Sequence, residues 1–72
     1  MRRFDSAALY AALDEKRRAR DMTWAGLSAD IGVGASTITR TRLGGRMEVD
    51  GMLAMVGWLE APVERFVRES SV

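Results

Sequence analysis

The chain contains no cysteine and no histidine. Without cysteine there is no disulfide, no thiolate nucleophile and no zinc–thiolate centre. Without histidine the usual general base at neutral pH and the commonest metal ligand are both missing. Proline occurs once, at Pro62. Long apolar runs are missing too. The longest, residues 52–59, is interrupted by Gly57 and falls far short of the roughly 18 residues that cross a bilayer. Arg2 and Arg3 are not followed by the apolar segment of a secretory signal. These absences exclude most hydrolase and metalloenzyme mechanisms. They point to a non-membrane, cytoplasmic place with no cofactor, no metal and no small-molecule ligand.

What is present is a globular composition. Apolar residues make up 47% and charged residues 29%, a profile too hydrophobic for a disordered chain. The 72 residues fit one domain, 1–72, whose small size leaves a thin stability margin. The net charge is only +1, yet the charges are segregated. Residues 16–46 hold seven basic side chains against two acids, whereas residues 47–72 hold two basic side chains against five acids. Ten of the eleven cations are arginine, the side chain suited to bidentate phosphate and guanine contacts.

Apolar residues recur at helical spacing, and strand-type alternation is absent over any useful window. A first helix is expected over 6–20, capped by Asp5, with Ala8, Leu9, Ala12 and Leu13 on its inner face. Its basic end, Lys16, Arg17, Arg18 and Arg20, complements the helix dipole. Thr23 caps a second helix over 24–31, and Gly32 stops it in the left-handed region. A third helix runs over 35–43 and ends at Gly44–Gly45. A fourth, the most apolar, covers 49–59, and Pro62 opens a fifth to residue 68. Residues 70–72 are expected to fray. The fold class is therefore all-α, five short helices around one core of Leu9, Leu13, Leu27, Ile31, Val33, Ile38, Met52, Val56, Leu59 and Phe66.

The segment 23–43 carries the functional signal. Two short helices are joined by Gly32-Val33-Gly34, with Leu27, Ile31, Val33 and Ile38 placed to fill the angle between them. This spacing suits a helix-turn-helix that holds its second helix outward, able to enter a major groove. The run Thr23-Trp24-Ala25-Gly26-Leu27-Ser28 through Ile31-Gly32-Val33 to Ile38-Thr39-Arg40, then Gly44-Gly45-Arg46, resembles the Cro/repressor (XRE-like, lambda-repressor-like) helix-turn-helix family. The resemblance covers nearly the whole chain, about residues 9–66. It departs from the family at Trp24, where glutamine is usual, at Gly34, where serine is frequent, and at Thr41-Arg42, where an aromatic residue and a glutamate are usual. The last change replaces an acid with a cation and should raise general DNA affinity.

The resemblance implies a compact five-helix DNA-binding domain with the third helix as the reading helix. Ala35, Ser36, Thr39 and Arg40 are then the base-reading residues. Arg40 suits guanine O6 and N7, Ser36 and Thr39 suit base edges, and the Ala35 methyl suits a thymine methyl. Thr23, Trp24, Thr37, Arg42 and Arg46 are the expected phosphate contacts. Trp58 lies off the Met52–Val56–Leu59 face and is expected at the surface, where with Phe66 and Val67 it offers a dimer or partner face. The function this implies is a small phage- or prokaryote-type transcriptional repressor, sequence-specific for double-stranded DNA, nucleoid-associated when bound and in the family's usual form a homodimer. The alternative is a protein-interaction module, such as an antitoxin or anti-activator, that works through the Trp58/Phe66 face. No nucleophile–base set or paired acids support an enzyme. RNA is disfavoured because the reading helix carries no aromatic residue for base stacking.

Overall fold

The structure, a computed structural model, describes residues 1–69; the expected fraying of 70–72 lies outside them. The elements in chain order are β1 (Arg2–Phe4), α1 (Ser6–Ala19), α2 (Trp24–Ile31), α3 (Ala35–Leu43), α4 (Val49–Leu59), a short 3-10 turn (Val63–Phe66) and β2 (Val67–Glu69).

Asp5 starts α1 as expected: its carboxylate accepts the Ala8 amide at 2.9 Å. Leu9 and Leu13, one turn apart, turn the inner face of α1 into the floor of the core, and both are fully buried. The helix closes with Lys16, Arg17 and Arg18 in its last turn, where cations meet the negative end of the dipole. Thr23 caps α2 by accepting the Gly26 amide at 3.0 Å. The core is completed by Leu27 from α2, Ile38 from α3, Met55 and Val56 from α4, and Phe66. Thr41 is the one buried polar residue among the described ones. Its hydroxyl donates to the Thr37 carbonyl at 2.8 Å, so it enters the interior without an orphaned group.

The centre of the core is shifted from the expected set. Met55 rather than Met52 is fully buried, while Met52, Ile31, Val33 and Leu59 are half-buried around it. The cause is the rotation of α4. Gly51 turns toward α3, where an added Cβ would stand 3.4 Å from the Thr37 methyl, and this brings Met55, one turn on, to the middle.

The expected five-helix, all-α architecture is overturned at the C-terminal end. In place of a fifth helix over 62–68 there is one tight 3-10 turn followed by a strand. That strand, β2, pairs antiparallel with β1, setting Arg2 opposite Glu69, Arg3 opposite Arg68 and Phe4 opposite Val67. The mechanism is visible in the backbone. The Phe66 carbonyl, which a continuing helix would need as an acceptor, instead takes the Asp5 amide at 2.6 Å. Val67 is then extended at φ −92° and ψ 133°. A nascent helix of one turn has little cooperativity to set against such a bond. Asp5 is thus shared: it caps α1, donates its amide to Phe66 and sets its carboxylate 3.4 Å from the Arg68 guanidinium.

Asp14 anchors the outer side of α1. Arg17 reaches it at 2.7 Å and Arg18 at 2.7 Å. The Arg17 hydrogen bond is the largest influence on its carboxyl; desolvation pushes the other way, and the Arg18 hydrogen bond with the charges of both guanidiniums keeps the net result below the ordinary value of 3.8. A carboxyl depressed on folding stabilises the fold above its unfolded pKa, and that contribution is lost as pH falls through the folded value. Wild type should therefore melt higher than Asp14→Asn at pH 7, and the gap should narrow as pH falls below the ordinary carboxyl value and close once the folded carboxyl is protonated. Thermal melts across that range measure it. A gap of constant size would show that Asp14 contributes through packing instead.

Candidate nucleic-acid interface

The connection between α2 and α3 is fixed by local chemistry. Gly32 sits at φ 88°, in the region that glycine alone enters without strain, and its amide bonds the Ser28 carbonyl at 2.9 Å. Val33 N–H reaches the same carbonyl at 3.1 Å, and the Ser28 hydroxyl donates to the Val33 carbonyl at 2.5 Å. Ser28 therefore grips the turn from both sides. Gly34 then serves as the N-cap of α3, and its carbonyl accepts from Thr37 at 3.1 Å. The result is a helix, a tight turn and a second helix whose inner side is held by buried Ile38 and Thr41.

With Ile38 and Thr41 turned inward, the rest of α3 faces out. Ala35, Ser36, Thr39 and Arg40 are all exposed, as are Arg42 and Leu43. The Thr39 hydroxyl donates to the Ala35 carbonyl at 3.1 Å, which leaves its oxygen free to accept. Thr37 is half-buried against α4. Together with Arg40, Arg46, Met47, Glu48 and Gly51 it lines a small cleft between the end of α3 and the start of α4. The expected phosphate contacts at α2 are also at the surface. Thr23 is exposed with its hydroxyl oxygen engaged in capping.

Trp24 is half-buried and held in a sandwich. Tyr10 stacks on it at 4.9 Å between ring centres, and the Arg17 guanidinium lies 4.8 Å from its ring. Arg17 is itself fixed by Asp14 and by the Met22 carbonyl at 2.8 Å. The indole N–H has no hydrogen-bond partner among the described residues, so the ring packs inward while its polar edge remains open.

The arginines differ in what they meet: Arg20 and Arg65 lie against the Trp58 and Phe66 rings, and the side chain of Arg3, on β1, has no ion pair, hydrogen bond or ring contact among the described residues. Arg2, Arg17, Arg18 and Arg68 each face a carboxylate within the fold. Arg40, Arg42 and Arg46 have no ion pair, hydrogen bond or ring contact from their side chains among the described residues. All three are exposed, on α3 or in the loop that follows it. Guanidiniums left without internal counter-charge on one helix and its exit form a fixed positive surface beside the exposed Ser36 and Thr39.

The expected Trp58–Phe66–Val67 face is not what the structure presents. Phe66 is 2% exposed and packs inside, with Phe4 at 6.0 Å between ring centres. Trp58 is half-buried and fully engaged. Its indole donates to Asp30 at 2.7 Å, the Lys16 ammonium lies 4.4 Å from its ring, and Lys16 also donates to its carbonyl. Arg20 lies 5.7 Å from the same ring. Trp58 thus ties α4 to the ends of α1 and α2. Val67 is half-buried in β2. Position on the helical wheel alone did not show these bonds, because Lys16 and Asp30 are distant in sequence.

One feature escaped the sequence reading. Trp24, Ala25, Ser28, Ala29, Val33, Ala35 and Ile38 line an apolar groove of about 510 Å³ between α2 and α3. Its signal was the row of small residues Ala25, Ala29 and Ala35, which leaves space where larger side chains would close it.

No helix among the described residues is long and apolar enough to cross a membrane. No protein-family model, curated protein or solved structure matches the chain.

Proposed function

We propose that this chain is a sequence-specific double-stranded-DNA-binding regulator of transcription, a small repressor of the phage or prokaryotic type that works in the cytoplasm. The observation that carries this reading is the set of three exposed, internally unpaired arginines, Arg40, Arg42 and Arg46, on the outward helix and its exit. Arginines held out on a short helix with no internal counter-charge are free to meet a polyanion, and a protruding helix fits a major groove. In this reading Arg40 contacts guanine, while Ser36 and Thr39 contact neighbouring base edges. The Ala35 methyl meets a thymine methyl. Arg42, Arg46, Thr23, Thr37 and the open indole N–H of Trp24 hold phosphates. The alternative as a protein-interaction module loses its proposed surface, because Phe66 is buried and Trp58 is bonded within the fold.

The test is a binding selection from a random duplex library at physiological salt. One enriched motif is expected. With four to six phosphates neutralised, log K should fall against log salt with a slope of about −4 to −5. Failure of any motif to enrich, with a slope shallower than about −2, would overturn the reading.

A further inference from the structure

Trp24 opens α2, directly after the exposed cap Thr23, yet its ring is enclosed by side chains of α1. Tyr10 and Arg17 stand two turns apart on α1, about 10 Å along its axis, and the indole occupies that interval. Tyr10 stacks on it within 14° of parallel, at 4.9 Å between ring centres, and the Arg17 guanidinium lies 4.8 Å from its centre.

The arginine is itself fixed. Its Nε and Nη2 donate to the same Asp14 oxygen at 3.1 and 2.7 Å, and its Nη1 donates to the Met22 carbonyl at 2.8 Å. Its side chain is only 20% exposed, against 71% for Arg18 on the same carboxylate. With all three nitrogens bonded, the guanidinium keeps its place against the ring, and its charge is already met inside the fold.

We infer that Tyr10, Arg17 and Asp14 are positioning residues for DNA contact: they fix the Trp24 side chain in the free protein, so that its unpartnered indole N–H meets a phosphate without first being ordered. The inference rests on the DNA reading proposed above. Ordering one loose side chain on binding weakens association by roughly twofold to tenfold, and the clamp removes that cost.

Charge separates this role from direct contact. An arginine seated on a phosphate releases a counterion, whereas an indole N–H carries no charge. Arg17 therefore acts on affinity and leaves the salt dependence alone.

The test is a double-mutant cycle on equilibrium binding to the enriched duplex and to a scrambled duplex of the same length, with salt slopes for each protein. Tyr10→Leu and Arg17→Met should each weaken binding by about twofold to tenfold on both duplexes, with the slope unchanged. Tyr10→Phe, which keeps the stack, should bind as wild type does. In a Trp24→Phe background neither Tyr10→Leu nor Arg17→Met should weaken binding further. Circular dichroism checks that each variant is folded at the binding temperature. In free wild type, the heteronuclear NOE of the Trp24 indole N–H should match that of Trp58, whose indole is bonded to Asp30. A mobile Trp24 indole there would overturn the proposal without any variant. So would losses that persist in the Trp24→Phe background, or an Arg17→Met slope shallower by about one, which would seat Arg17 itself on a phosphate. If wild type binds neither duplex, the DNA reading falls and the positioning role with it. If wild type binds and the cycle is additive, the positioning role alone falls.

Discussion

Phe66→Ala should leave much of the chain unfolded at room temperature. Phe66 is almost wholly enclosed, in contact with Phe4 and with the cluster of Leu9, Leu13, Leu27 and Met55. Truncating a buried phenylalanine costs about 3–5 kcal/mol, because contact is lost and the surrounding helices close the gap only in part. A chain of 72 residues has roughly 4–11 kcal/mol to lose, and small domains sit toward the lower end. The cost falls on more than one element. Phe66 ends the 3-10 turn, and its carbonyl holds the Asp5 amide that seats the start of α1. A thermal melt followed by circular dichroism should show a midpoint at least about 12 °C below wild type, from about 4–8 °C per kcal/mol for a domain of this size. A drop of less than about 4 °C would mean that the C-terminal turn is an accessory to the helical core and not part of it.

Arg40→Ala should leave the fold untouched and relax sequence discrimination. Its side chain is exposed and makes no hydrogen bond, ion pair or ring contact among the described residues, so the melting midpoint should stay close to wild type. Loss of a bidentate contact to guanine removes about 1–3 kcal/mol, or roughly fivefold to 150-fold in affinity, at one base pair only. In the enriched site, the variant should lose its preference at a single G·C pair and keep it elsewhere. Equilibrium binding to the site and to its three substitutions at that pair measures this. Equal weakening on every sequence, with the salt slope reduced by about one, would assign Arg40 to a phosphate instead. No change at all would remove α3 from the interface.

The helices were legible because each carries its own boundary chemistry. Asp5 and Thr23 accept the amides that their positions suggested. Gly32 and Gly44 take the left-handed conformation that ends a helix, at φ 88° and 77°. The turn between α2 and α3 was legible for the same reason: Gly32 can enter the left-handed region without a steric penalty and stop α2 there. The strands were hidden because three residues show no readable alternation. Arg2-Arg3-Phe4 and Val67-Arg68-Glu69 acquire meaning only from each other, across almost the whole chain. Pro62 was a fair helix start, but the bond from Asp5 to Phe66 decided the outcome from a distance. At the candidate interface the sequence could place Arg40, Arg42 and Arg46 outside. It could not show that these guanidiniums lack internal partners while Arg17 and Arg18 share Asp14. Trp58 was misplaced by the same limit, since its binding groups come from α1 and α2.

The pairing of β1 with β2 has a mechanical consequence. Arg2 lies opposite Glu69, so the outer ends of the two strands sit side by side. Tension applied between those ends loads the rungs one at a time, Arg2–Glu69 first and Phe4–Val67 last, instead of shearing all of them together. The ladder opens like a zip under low force, and the pull then arrives at Asp5 and Phe66, the gate to the interior. Reclosing it requires two segments more than sixty residues apart to meet, about 1.6 kcal/mol dearer in chain entropy than closing a ten-residue loop. The helices can condense before that meeting takes place, so the sheet is a clasp fastened last and released first.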